Sequence, residues 1–230
     1  MADTEALLRL QSWLSPAFPT GAFSYSHGLE AAVDDGLVGN ADGLTLWLAG
    51  VLRFGTGRTD AWILVETGEA MGSRDDDRLA DVAALAAALC GAAELSLESR
   101  AQGAAFLGTV RAVWPHDRLA MATEGLARAQ VPVTLPVAVG MAATVHGLPM
   151  ELVVPLYLNA LAANMVSAGV RLVPLGQTDG QRVVAALEPV VAEVAARALR
   201  RTDAEPGSAA LSVDLCAMRH ETQYTRLFRS

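Results

Sequence analysis

The 230-residue sequence contains no lysine; all 17 of its basic residues are arginine. That absence excludes the lysine of phosphate-binding loops, Schiff-base lysines and Ser–Lys dyads. Walker-type NTPases, pyridoxal enzymes and protein kinases go with them. Codon bias toward arginine and alanine is the simplest source of the gap. Only two cysteines occur, Cys90 and Cys216, far apart and in no C-x-x-C pattern. Zinc-finger, thioredoxin and iron–sulfur spacings are therefore missing, and a reduced, cytoplasmic protein is expected. Aromatic residues make up 5% and charged residues 18%. The net charge is −8, the wrong sign for a nucleic-acid binder. The first ten residues carry Asp3, Glu5 and Arg9 and lack the basic-then-apolar order of a signal peptide.

What the chain has instead is apolar content: 52% hydrophobic residues and a mean hydropathy of +0.32. That is enough to offset the entropy of ordering a packed core. Two stretches carry no formal charge, Ala129–Met150 and Leu152–Val170. The second has the length of a membrane span. Its Pro155, Asn159, Asn164 and Ser167, and Pro132 and Pro136 in the first, point to buried helices of a soluble protein instead. Abundant alanine with few β-branched runs favours helix throughout. The spacing predicts helices over Thr4–Leu14, Ser26–Asp35, Asn40–Phe54, Asp60–Ala70, about Leu79–Leu89 and Ala93–Val110. Further helices follow over His116–Gln130, Leu135–His146, Met150–Ser167, Gln181–Arg201, with a kink at Pro189, and Ala209–His220. The expected fold is all-α, a bundle-like single domain of about ten helices over residues 1–230, with a linker at 202–208 and a docking tail at 219–230.

Several groups invite chemistry. Ser24, Tyr25, Ser26 and His27 crowd one turn after a Pro/Gly loop, but G-x-S-x-G is absent, and capping explains the serines better than a nucleophile–base pair does. His220-Glu221 opens like H-E-x-x-H, but the fifth position is Tyr224. Four scattered histidines make no closed metal site within one chain, and a site between subunits stays open. Glu94, Glu98 and Gln102 fall at i, i+4 and i+8, one polar stripe that reads as a solvated face. The Gly176–Gly180 segment reads as a shaped turn, with Thr178 or Asp179 capping the next helix. The tail is the anomaly. On an acidic protein it carries Arg219, Arg226 and Arg229, interleaved with Tyr224 and Phe228. That is the composition of an interface hot spot.

Four blocks then resemble one family. They are Leu7–Leu10 leading into Ser15–Glu30, Glu94–Arg100 with Gly103 and Phe106, Val170–Gln181, and the ending Met218–Ser230. In order and content they resemble the urease accessory protein F family, UreF. The resemblance implies an all-α, cytoplasmic, non-enzymatic homodimer. It would bind the accessory protein UreD (also called UreH), recruit the GTPase UreG and assist GTP-dependent nickel insertion into apo-urease. It implies no resident cofactor and no metal ligands, with nickel present only in transit. Two alternatives stay open: a nickel-binding metallochaperone, holding the ion at His27 or Cys216, and a GTPase-activating protein for UreG with an arginine finger. The expected partner-binding residues are Ser24, Tyr25, His27, Glu30, Arg171, Arg219, His220, Glu221, Tyr224, Arg226, Phe228 and Arg229. The tail is expected to be loose alone and ordered on binding, with Ser24, Tyr25, His27 and Glu30 near its base or facing UreG. Arg171 is expected to meet an acidic partner or to hold the Gly176–Gly180 loop.

Overall fold

The computed structural model describes residues 4–201 and 206–230. Among them are eleven α-helices, one 3-10 turn and no strand. The helices are α1 (Thr4–Trp13), α2 (Leu29–Asp34), α3 (Ala41–Phe54), α4 (Thr56–Ser73), α5 (Asp76–Ala88) and α6 (Ala93–Val113). They continue as α7 (Asp117–Arg128), α8 (Leu135–Val145), α9 (Met150–Leu172), α10 (Gln177–Leu199) and α11 (Leu211–His220). The 3-10 turn spans Ala22–Ser24.

The two uncharged stretches become α8 and α9, and both are core. α8 is buried nearly all round, which explains why it shows no polar face. α9 is long and apolar enough to cross a membrane, but half of its most apolar window is buried inside the fold. It packs against α10, α4, α3, α2 and α8. Around this centre the helix starts follow local chemistry. The Asn40 side chain accepts from the Gly43 backbone N–H (2.8 Å), Asp75 from Arg78 (2.9 Å) and the His116 ring from Arg118 (3.2 Å).

Several boundaries differ from the expectation. α4 begins at Thr56, four residues early, directly after α3. The loop before α10 shrinks to residues 173–176, because α9 runs on to Leu172 and α10 starts at Gln177, where Asp179 accepts the Gly176 N–H (3.3 Å). α10 runs on through Pro189 as one continuous helix. Pro189 and Ala185, whose carbonyl loses its helical partner there, both face solvent, which can satisfy it. Of the expected linker, residues 202–205 lie outside the described residues. Residues 206–210 lead into α11, with the Ala209 N–H donating to the Phe54 carbonyl (2.6 Å).

Candidate functional site

The Ser24–Glu30 segment does not form the expected helix from Ser26. His27 and Gly28 both take left-handed backbone angles (φ 55° and 73°), and α2 starts only at Leu29. This double turn opens two backbone edges toward the C-terminal segment. The Ser26 N–H donates to the Ser230 carbonyl (2.8 Å), and the Arg229 N–H donates to the Ser24 carbonyl (2.8 Å). The Ser26 hydroxyl also donates to the Ser230 carbonyl.

The tail therefore docks on its own chain. The anchor is Glu30, which is buried on α2. Its Oε1 accepts the Leu227 N–H (2.6 Å), and its Oε2 accepts the Phe228 N–H (2.9 Å). His220, fully buried at the end of α11, lies between Glu30 and Glu94. Glu94 also accepts from Arg226 (2.6 Å), Glu221 accepts the Ala93 N–H at the start of α6 (2.8 Å), and Arg219 pairs with Asp35. Arg171 is turned onto its own chain. It donates to the Phe23 carbonyl (2.9 Å) and lies 4.3 Å above the Phe228 ring, tying the loop to the tail. Arg229 approaches the Tyr25 ring at 6.0 Å. Of the twelve predicted site residues, only Tyr224 lacks a contact within this cluster, and it is fully exposed.

The stripe on α6 is the clearest correction. Glu98 and Gln102 are buried at 1% and 5% exposure, not solvated. Gln102 donates to Glu98 Oε1 (2.8 Å), the Ser230 hydroxyl donates to Glu98 Oε2 (2.6 Å), and His27 Nδ1 lies 3.0 Å from that same oxygen. Continuing the stripe by two more steps of four reaches Phe106 and then Val110, both core residues. That continuation was the readable signal of burial. Asp60 on α4 and Tyr157 on α9 were missed entirely. The Tyr157 hydroxyl donates to Asp60 Oδ2 (2.6 Å).

His27, Asp60, Glu98, Gln102 and Tyr157 line a cavity of about 680 Å³, together with Cys90, Leu10, Phe106 and Asn164. Burial pushes the Asp60 carboxyl up to about 6, against the lowering effect of the Tyr157 hydrogen bond. Burial works against a charged His27, but the Glu98 carboxylate, with Asp60 behind it, outweighs this and raises its pKa. Burial and Asp60 push the Cys90 thiol up to about 11. Such a thiol is a poor nucleophile and a poor metal ligand. Ser26 is committed to the Ser230 carbonyl and His27 faces Glu98, so the Ser–His pairing of a hydrolase is not assembled here. Among the described residues, no group of three or more His, Cys, Asp or Glu side chains is placed to hold a metal ion. The cluster's geometry is that of a clasp, in which the segment after Gly21 grips the tail.

The profile of the UreF family matches residues 38–188. A urease accessory protein UreF from a Bradyrhizobium species is 51% identical over 229 residues, covering all of this chain and 94% of the relative. A Rhodopseudomonas palustris UreF is 49% identical over 228 residues, covering 99% and 93%. One from Cereibacter sphaeroides is 50% identical over 225 residues, covering 98% and 99%. The chain belongs to the UreF family. UreF membership makes it a soluble urease accessory protein, a non-catalytic factor of urease maturation. The profile match includes residues 40–81, which lie between the first two of the four resembling blocks. The clasp and the tail lie outside the profile match, but the full-length UreF relatives extend over both.

Proposed function

We propose that this chain is the scaffold of a urease maturation complex: it binds UreD (UreH), recruits the GTPase UreG and supports GTP-dependent nickel insertion into apo-urease. It works in the cytoplasm as a homodimer, and nickel passes as cargo with no resident site on the chain. The observation that supports this reading most is the outer side of the docked tail. Tyr224 is fully exposed and Leu227 is 63% exposed, flanked by Arg226 and Arg229, while the inner side is fastened to Glu30 and Ser24. An aromatic and arginine-rich surface that is already ordered loses less entropy when a partner docks.

The test is the nickel content of urease co-expressed with the remaining accessory proteins, with and without this chain. Occupancy that falls without it and recovers on restoration supports the role; unchanged occupancy removes it. A chain cut after Met218 is expected to lose UreD binding, and retained affinity would move the platform elsewhere. Equilibrium dialysis of the purified chain that found a tight stoichiometric nickel site would favour a metallochaperone. Acceleration of UreG alone, lost on substituting Arg171, Arg219 or Arg226, would favour a GTPase-activating role.

A further inference from the structure

The cavity beside the clasp is acidic inside and apolar at its mouth. Three carboxyl groups line it, from Asp60, Glu98 and Asp214. The one lining side chain able to oppose them is His27, and it lies 3.0 Å from Glu98. None of the chain's 17 arginines is among the described lining residues. Glu98 is committed on both oxygens, to Gln102 on one and to Ser230 and His27 on the other. Asp214 accepts the Ser208 hydroxyl (2.8 Å). Asp60 is different. Among the described residues its one hydrogen-bond donor is the Tyr157 hydroxyl, on Oδ2, and it is half-buried, so the cavity reaches it. Burial raises its carboxyl to about 6, and neither the Tyr157 hydrogen bond nor His27 offsets that. Thr134, 1% exposed, adds to the lining a hydroxyl with no protein partner.

We propose that this cavity binds an organic cation, an alkylguanidinium or alkylammonium group, whose head pairs with Asp60 and whose stem lies along the apolar wall. Leu10, Ile63, Phe106 and Val139 supply that wall, and the exposed side chains of Leu7, Phe23 and Leu156 rim it. The volume, about 680 Å³, is that of a pocket for a small organic ligand. An apolar passage that reaches an unpaired carboxyl group matches a ligand with an alkyl stem and a charged tip. A hydrated metal ion matches it poorly. Among the described residues no three ligating side chains are grouped for one, and its water shell would lie against leucine, isoleucine and phenylalanine. The same cation is found in free alkylamines and at the tip of a basic side chain of a bound protein. The site goes beyond the scaffold reading, and its main test uses the free chain.

The experiment is an NMR titration of the full chain, methyl-labelled at isoleucine, leucine and valine, with butylguanidinium and with butylurea, its neutral near-isostere. Butylguanidinium is expected to shift the Leu10, Ile63 and Val139 methyls and to bind about tenfold or more tighter than butylurea. Asp60→Asn should weaken butylguanidinium about tenfold or more and bring the two probes level. Equal affinity of the two probes for the wild-type chain, no saturable shift of the cavity methyls, or unchanged affinity in Asp60→Asn would each overturn the site. So would nickel chloride that perturbs these methyls while butylguanidinium does not. The comparison of the two probes on the wild-type chain decides the matter even if Asp60→Asn does not fold. A repeat with UreD bound separates the two sources, and this arm alone rests on the scaffold reading. Displacement of butylguanidinium assigns the cation to a side chain of the partner, and retained binding assigns it to a free amine.

Discussion

Gly28 is where the clasp meets α11, and Gly28→Ala tests that contact quantitatively. A Cβ at this position would lie 2.7 Å from the Ala217 backbone nitrogen, 2.9 Å from its Cα and 3.1 Å from the Cys216 carbonyl carbon. All three are helix backbone, so no side-chain rotation relieves the clash. The residue is also left-handed (φ 73°), which costs alanine about 1–2 kcal/mol. Overpacking adds about 1–3 kcal/mol, so the expected loss is about 2–5 kcal/mol. Gly21→Ala is the control. Its φ is 76°, and nothing lies within 4 Å of the added Cβ, so only the conformational cost of about 1–2 kcal/mol applies. Urea denaturation of both variants, compared at equal m-value, isolates the clash as the difference. The Leu227 and Phe228 amides should also exchange faster in Gly28→Ala, because α11 carries His220 into the clasp. If the two variants lose the same stability to within about 0.5 kcal/mol, α11 does not rest on the Gly28 backbone, and the packing of the clasp is wrong.

Asp60→Asn should change how stability depends on pH. The folded carboxyl, at about 6, lies above its ordinary value of 3.8, so the native state binds the extra proton, and wild-type stability falls as pH rises between those two values. The asparagine variant removes that fall, which amounts to about 1–3 kcal/mol, and parallel wild-type and variant curves between pH 4 and 7 would refute it. Arg171→Lys keeps the charge but loses the planar contact on Phe228 and the donor geometry to Phe23, for an expected loss of about 0.5–1 kcal/mol by urea denaturation; an unchanged midpoint would show that the arginine does not fasten the tail. Tyr224→Ala should leave stability within about 0.5 kcal/mol while weakening UreD binding about tenfold or more in calorimetry; equal affinity would take Tyr224 out of the interface.

Helix placement was legible because it rests on local chemistry, the apolar periodicity along elements such as α3 and α10. The two uncharged stretches were legible as core because their prolines and asparagines fit a buried helix better than lipid. The clasp was legible as a set of residues but not as a structure. Its first part lies about two hundred residues from its second, and no local pattern states that Glu30 accepts the backbone of Leu227. The helix expected from Ser26 failed because two consecutive left-handed residues, His27 and Gly28, are a tertiary choice; propensity favours continuing the helix into Ser26. Glu98 was misread because a carboxylate at helical spacing is usually solvated. Only the Ser230 hydroxyl, Gln102 and His27, converging from three parts of the chain, make its burial tolerable.

The tail residues divide by what they touch, and the division changes how a loss-of-function variant should be read. Phe228, His220 and Glu30 are buried and hold the tail's inner side. Tyr224 and Leu227 face outward, and along α11 so do Leu211, Leu215 and Met218 at helical spacing. A substitution at Glu30 or His220 that abolishes urease activation does not by itself mark a partner contact. It is expected to act by freeing residues 226–228, and its effect should track the exchange rate of the Phe228 amide in the isolated chain. A substitution at Tyr224 that abolishes activation while that exchange rate stays at the wild-type value marks the contact itself. Measuring exchange and activation on the same variants separates the clasp that builds the surface from the surface that meets the partner.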